Sequence, residues 1–200
     1  MKKIPTAYIR EYENHKIINI KNEYTNEKCK EAVEKGIPTL KIDGSCCAII
    51  NGELYKRYDC KKGRNAPEGA IPCCEPDEIT GHHPHWVKCK EDDPADKWFF
   101  AACQNVLEHN FKNPEKYRMP DHTYEAIGPH FQGNPYNLEK DFLSMHGTQE
   151  IILKDRTFET IKEYLSENYI EGIVFWLDDE PVCKIKRSDF GFEWNGKGGR

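Results

Sequence analysis

Lys41 stands in the run Thr39-Leu40-Lys41-Ile42-Asp43-Gly44-Ser45, directly before an Asp-Gly pair. Beyond it, CCAII (Cys46–Ile50) and ELYKRY (Glu53–Tyr58) are strand-favouring runs separated by Asn51-Gly52. Asn-Gly is the preferred two-residue loop of type I′ hairpins, because both residues tolerate positive φ. That loop sets Ile50 opposite Glu53, Ile49 opposite Leu54 and Cys46 opposite Arg57, which carries Arg57 back toward the Lys41–Gly44 turn. A lysine beside an aspartate, with an arginine folded over it, makes either an anion pocket or a charged surface patch. Strict alternation sets Arg57 on the face opposite Lys41, unless Asp43-Gly44 breaks the strand, as glycine permits.

A second charged set lies near the C-terminus, in Glu171-Gly-Ile-Val and Lys184-Ile-Lys186. The segment 171–190 reads as strand, tight turn and strand. With the loop at Asp179-Glu180, Phe175 faces Lys184, Ile173 faces Lys186 and Glu171 faces Ser188. Opposed residues, and residues two apart on one strand, share a sheet face. One carboxylate and two lysines then line a single side. Taken singly, each piece has a plainer reading. Asp-Gly is a common turn, and Lys-x-Lys alternating with Cys183 and Ile185 is often the wet side of an edge strand.

The third set is Cys73, Cys74, His82, His83, His85 and Cys89, in a stretch rich in Pro, Gly and Asp over residues 65–96 that reads as a long loop. Thiolates and imidazoles this close suit Zn²⁺. Adjacent cysteines are awkward for one tetrahedral ion, however, and no Cys-x-x-Cys is present, so incidental ligand types in a polar loop are the preferred reading.

The elements around these sets follow from periodicity and end signals. TNEKCKEAVEKG predicts a short helix with Thr25 as N-cap and Gly36 as its stop, and residues 97–111 predict a clearer one with Asp96 as N-cap. Its apolar face includes Phe99, Cys103, Val106 and Leu107. TYEAIGP, DFLSMHG and QEIILKD are strand candidates, and TFETIKEYLSEN is an amphipathic helix with Phe158, Ile161 and Leu165 on one face. Hairpins and helices without regular βαβ alternation indicate an α+β protein. Two hundred residues suit one domain, here residues 1–200 with 1–38 as an N-terminal extension packed on it.

Hydrophobic residues make up 38% and charged residues 32%, with 12% aromatics, which argues against disorder. No apolar run approaches the ~18–20 residues that cross a bilayer, and the N-terminus lacks a signal-peptide segment, so a cytoplasmic protein with reduced thiols is expected. The net charge of −5 does not by itself point to nucleic acid. Locally, Lys56, Arg57, Lys61, Lys62 and Arg64 form one basic cluster, and Lys184, Lys186, Arg187, Lys197 and Arg200 another.

Together the motifs resemble the covalent nucleotidyltransferase superfamily of ATP-dependent polynucleotide ligases and mRNA-capping enzymes. KIDGS resembles its Lys-x-Asp-Gly nucleophile motif, YKRYD supplies the expected downstream arginine, and YEAIG the next glutamate, Glu125. EGIV and KIK match the fourth and fifth motifs, in the family's order. The resemblance covers nearly the whole chain beyond residue 38. It implies an antiparallel-sheet, ATP-grasp-like nucleotidyltransferase domain with flanking helices, ATP as cofactor, and Mg²⁺ or Mn²⁺. By the same resemblance Lys41 is the nucleophile that takes AMP, and Arg57 and Lys186 contact phosphate oxygens. Lys184 engages the α-phosphate, Glu125 the ribose, and Glu171 the metal, while Asp43 helps at sealing. The aromatic that stacks on the adenine is not obvious; Phe142 or His146 fits by position. The residue types suit the chemistry: neighbouring cations favour a neutral lysine amine and neutralise phosphate charge.

Only fourteen residues follow Lys186, so no OB-fold domain is expected, and the bare module looks most like the small stand-alone RNA ligases. The implied function is ATP-dependent joining of 5′-phosphate and 3′-hydroxyl RNA ends in RNA repair, by a monomer whose partners are RNA ends and ATP. The alternatives are a catalytically silent RNA-end-binding module, or a DNA ligase or guanylyltransferase of the same superfamily.

Overall fold

The computed structural model describes residues 3–14, 16–77 and 80–195. Lys197 and Arg200 lie outside them. In chain order the first elements are β1 (Tyr8–Glu13), β2 (Lys16–Tyr24), α1 (Glu27–Lys35) and β3 (Ile37–Lys41). Next come β4 (Ser45–Ile50), β5 (Glu53–Cys60), β6 (Ile71–Pro72), β7 (His83–Lys88) and α2 (Lys97–Asn110). The last are β8 (His122–Ile127), β9 (Phe142–Met145), α3 (Phe158–Glu167), β10 (Gly172–Leu177) and β11 (Glu180–Lys186). All paired strands are antiparallel, which makes this an α+β protein. No helix among the described residues is long and apolar enough to cross a membrane.

The chain forms two compact units, Asp43–His146 and Ile4–Ile42 with Gly147 onward. The break at Asp43 settles the alternation problem at the Lys41–Ser45 run. Lys41 ends a strand of the three-stranded sheet β11-β10-β3, whereas Ser45 begins a strand of the six-stranded sheet β6-β7-β5-β4-β8-β9. No continuous strand runs through Asp43-Gly44.

In the unit holding β3, one face of the three-stranded sheet is apolar. Ile173, Phe175, Cys183 and Ile185 are fully buried there, with Cys29, Ala32 and Val33 of α1 and Ile161 and Leu165 of α3. α1 is capped by the Asn26 side chain, which accepts from Cys29 N–H, rather than by Thr25. The Thr25 hydroxyl instead donates to the Thr6 carbonyl. The expected strand in QEIILKD is reduced to an isolated bridge of Thr39 with Glu150, because Leu40 N–H donates to Gln149 and Ile151 N–H to Pro38 before the chain turns away. On the far edge, Lys184 N–H donates to Pro5 and Ala7 N–H to Lys184.

The β10–β11 register is one residue from that expected. The loop is Asp178-Asp179, both at positive φ, and not Asp179-Glu180. That loop alone would set Gly172 opposite Ile185, but a bulge between Phe175 and Trp176 shifts the pairing by one residue, so Gly172 faces Lys186, Ile173 faces Ile185 and Val174 faces Lys184. A one-residue slip inverts a strand's faces. Here it puts Gly172 and Val174, not the expected Ile173 and Phe175, on the face of Lys184 and Lys186, and turns Ile173 and Phe175 into the apolar core.

In the other unit the Asn51-Gly52 hairpin forms as the sequence predicts, with Ile49 opposite Leu54 and Ile50 opposite Glu53. The Asp121 carboxylate accepts both turn N–H groups, at 2.6 and 2.9 Å. The stretch expected to be one long loop contains β7, which pairs with β5 and sets Arg57 opposite Trp86. Pro84, buried within HPHWVK, masks this strand in the sequence. Cys47, Ile49, Leu54, Tyr124, Ala126 and Leu143 pack with Ala102 of α2. Asp96 precedes α2 as expected but makes no side-chain cap. Its carboxylate binds the Lys56 ammonium and Lys90 N–H instead.

Candidate active site

Lys41, Gly172 and Lys186 form one cross-strand row, and Thr39, Val174 and Lys184 the next. Cross-strand partners share a face, so Lys41, Lys184 and Lys186 occupy the side of the sheet opposite the apolar core. At the row's centre is Gly172. A Cβ there would meet the Ile185 carbonyl oxygen and stand 2.9 Å from Lys186 Cα, so only glycine fits between the two lysines.

Glu171 enters this face from the residue before β10. Its side chain is 3% exposed, and its two oxygens bind Lys41 Nζ at 2.6 Å and Lys186 Nζ at 2.8 Å. Both lysine side chains are 20% exposed. Lys184 is held down to about 8, first by burial and then by the nearby cations Lys41, Lys186 and Arg10, with Glu171 pulling the other way. Three lysines on one sheet face repel one another, and one carboxylate compensates two of them. The set carries an excess of positive charge and is suited to bind a polyanion.

Three residues that the motifs in the sequence do not mark support this face. Arg10 of β1 pairs with the buried Asp189 at 2.6 Å. The other Asp189 oxygen accepts Lys186 N–H at 2.8 Å. Asp189 is the third residue of the helical turn Arg187–Phe190 that Lys186 precedes, a capping spacing present in KIKRSDF. Trp176 lies on the lysine face of β10 and donates its indole N–H to Thr39 Oγ1 at 2.9 Å.

The remaining candidates belong to the other unit. Cys46 pairs with Glu125 across β4 and β8, and Glu125 with Ser144 across β8 and β9. Gly44 permits this approach, because a Cβ on it would stand 2.8 Å from Glu125 Cγ and 2.9 Å from Ile127 Cγ2. Glu125 Oε2 binds His146 Nε2 at 2.9 Å, and His146 Nδ1 lies 3.0 Å from Thr123 Oγ1. The imidazole is thus fixed by its edges. Arg57 reaches the surroundings of Cys46 and Cys73, and its Nε is buried without a hydrogen-bond partner. Burial pushes the Cys46 thiol up to about 12, with Glu125 adding to the effect and Arg57 opposing it. Such a thiol is no nucleophile. Asp43 is buried and its N–H donates to the Tyr136 hydroxyl at 2.7 Å. Phe142 begins β9, with its ring edge-on to His109 of α2 at 6.2 Å.

Among the described residues, no group of three or more His, Cys, Asp and Glu side chains is close enough to hold a metal ion. His82 binds Asp59, His83 and His85 lie ring to ring, and Cys89 is buried.

An α+β protein of antiparallel sheets that gathers three lysines around a buried carboxylate has an anion site of defined geometry. Comparison with known proteins gives it a context. No protein-family profile matches the chain. The chain is similar to RNA ligase 1 of Rattus norvegicus, with 27% identity over 250 positions that take in 92% of this chain and 76% of the relative. RNA ligase 1 of Mus musculus gives the same figures, and that of Pongo abelii is 25% identical over 249 positions with the same coverage. These similarities support an RNA ligase family for the chain.

Proposed function

We propose that the protein is an ATP-dependent RNA ligase of the covalent nucleotidyltransferase type, built on that superfamily's fold. The observation that carries this reading is Lys41 bound to Glu171 within a sheet face that also bears Lys184 and Lys186. Curated relatives named RNA ligase 1 supply the substrate class.

In the proposed first step, the Lys41 ammonium loses its proton and Nζ attacks the α-phosphorus of ATP. Glu171 Oε2, at 2.6 Å, is placed to take that proton. A P–N bond forms, the bond from the α-phosphorus to the bridging oxygen breaks, and pyrophosphate leaves. Lys184 and Lys186 supply fixed positive charge to the phosphate oxygens. Arg57 is assigned a phosphate contact, Glu125 the ribose, and His146 or Phe142 the adenine. An RNA 5′-phosphate then takes AMP from Lys41. Finally a 3′-hydroxyl attacks that phosphate and AMP departs, with Asp43 assisting at sealing.

Magnesium or manganese fits the donor set in one way. Glu171 supplies one buried carboxylate, and Mg²⁺ is commonly bound through one or two carboxylates while keeping several waters. When bound there, the ion supplies further charge neutralisation to the phosphates.

The test is incubation of the purified protein with α-labelled ATP and Mg²⁺. Acid-labile label on the wild type, lost in Lys41→Ala, is the expected outcome. Undiminished label on Lys41→Ala places the nucleophile elsewhere, and preference for GTP moves the protein toward the capping enzymes.

A further inference from the structure

Between α2 and β8 the chain runs His109-Asn110-Phe111-Lys112-Asn113-Pro114-Glu115-Lys116-Tyr117-Arg118. Phe111 and Tyr117 stack face to face, with centroids 3.7 Å apart and planes within 12° of parallel. Yet Phe111 is 36% exposed and Tyr117 44%. Neither ring belongs to an apolar core, so burial does not explain the pair.

The loop that carries the rings is well tied. Phe111 N–H donates to the Leu107 carbonyl, Lys116 N–H to Asn113 and Tyr117 N–H to Pro114. The Arg118 guanidinium donates to the Tyr117 carbonyl at 3.0 Å, and the buried Tyr124 hydroxyl donates to Pro120 at 2.7 Å. Aromatic groups held this way lose little freedom when something stacks on them.

The surrounding charge selects the partner. Lys112, Lys116 and Arg118 are exposed, against Glu115 alone within the loop. Three cations less one carboxylate leave +2, in a chain whose net charge is −5. An apolar protein partner would not call for this fringe of cations; a polyanion carrying flat rings would.

We propose that the Phe111–Tyr117 pair is a stacking platform for a single-stranded segment of RNA, whose phosphates are held by Lys112, Lys116 and Arg118. This rests on the RNA-ligase reading and deepens it. Each base offers a π-face, so a platform of this kind holds RNA with little regard to sequence. The loop leads into β8, where Glu125 follows His122 by three residues, about 10 Å at the usual strand rise. The platform and Glu125 thus belong to the same compact unit.

The experiment follows fluorescence anisotropy of a short, labelled, 5′-phosphorylated RNA over a salt series, using the full chain. Phe111→Ala with Tyr117→Ala should weaken binding about 10-fold or more and leave the salt dependence intact. Replacing Lys112, Lys116 and Arg118 by serine should lower the slope of log affinity against log salt by about 2, at ~0.7 per lost phosphate contact on a single strand. Both variants should take label from ATP like the wild type, which also reports that they are folded. If the aromatic double variant loses labelling, Tyr117→Leu carries the same test, since it keeps apolar volume but not the stacking face. Unchanged RNA binding by both variants, beside a wild type that binds, overturns the platform alone. A wild type that takes label but binds no RNA overturns the platform and the RNA-ligase reading together.

Discussion

On the β3–β10–β11 sheet the Lys184 ammonium is disfavoured, by burial and by the nearby Lys41, Lys186 and Arg10. Lys41, the proposed nucleophile, is paired with Glu171. The two side chains answer different needs. Lys41 has a carboxylate within reach to take its proton, while Lys184 is a cation kept where water solvates it poorly. That placement costs stability, and the sign of the pH dependence follows. Unfolded Lys184 titrates near 10.5 and the folded one near 8. Below pH 8 both states bind the proton and the folded protein bears the full penalty. Between the two values only the unfolded state keeps it, so stability rises with pH across that window. Lys184→Met should therefore stabilise the protein at pH 7 by about 1–3 kcal/mol, taking 1.36 kcal/mol per pH unit as the upper scale. Urea titrations should show this gain fading as pH rises from about 8 toward 10.5, and the same variant should lose labelling by ATP. A destabilised Lys184→Met at pH 7 would mean that the ammonium is better compensated than its neighbours indicate.

At the scale of elements, two glycines decide what the charged residues can do. Gly172 sits in the row between Lys41 and Lys186, and Gly44 lies under Glu125 and Ile127. Neither has a positive φ. Each is required by close approach rather than by backbone conformation, which differs from the turn reading of Asp-Gly. For Gly172→Ala, the new Cβ would meet the backbone of Ile185, which cannot move without disturbing the β10–β11 ladder. The expected cost is about 1–3 kcal/mol, as for other overpacked sites, with labelling by ATP reduced further because Lys186 shifts with its strand. Thermal melting and labelling of the same sample check both parts. Wild-type melting with lost labelling would make Gly172 a purely catalytic requirement.

For the whole molecule, a net charge of −5 means that affinity for RNA must come from local clusters and depend strongly on salt. Contacts to phosphates carry no sequence information, so little base preference is expected. RNA differs from DNA at each 2′-hydroxyl, a donor and acceptor that a protein can sense directly. Replacing the last few nucleotides on either side of the junction by deoxynucleotides should slow sealing, chiefly on the strand that supplies the 3′-hydroxyl. An all-DNA nick sealed as fast as its RNA counterpart would replace the RNA-ligase reading with a DNA-ligase one.

Much of this was legible in the sequence, and the reason is local. Asn51-Gly52 between strand-favouring runs defines its own turn, and the amphipathic periods of α2 and α3 and the antiparallel, α+β character need only neighbouring residues. The grouping of Lys184 with Lys186 is likewise set by the two-residue period of a strand. What only tertiary structure decided depends on partners distant in sequence. The β10–β11 register turned on the Asp178-Asp179 loop together with a bulge between Phe175 and Trp176, and it is the bulge, set by pairing with β11 and β3 rather than by any local signal, that decides which residues share the lysine face. β7 was hidden because Pro84 reads as a breaker until β5 supplies the pairing that accommodates it. Asp96 was expected to cap a helix, but the fold brings Lys56 to it and a charged partner outcompetes the cap. The link from Arg10 through Asp189 to Lys186 joins residues nearly the whole chain apart, and no local pattern encodes it. Glu171 gives the clearest case. Its type and its glycine neighbour are visible in the sequence, but its choice of Lys41 and Lys186 as partners exists only once β3, β10 and β11 lie side by side.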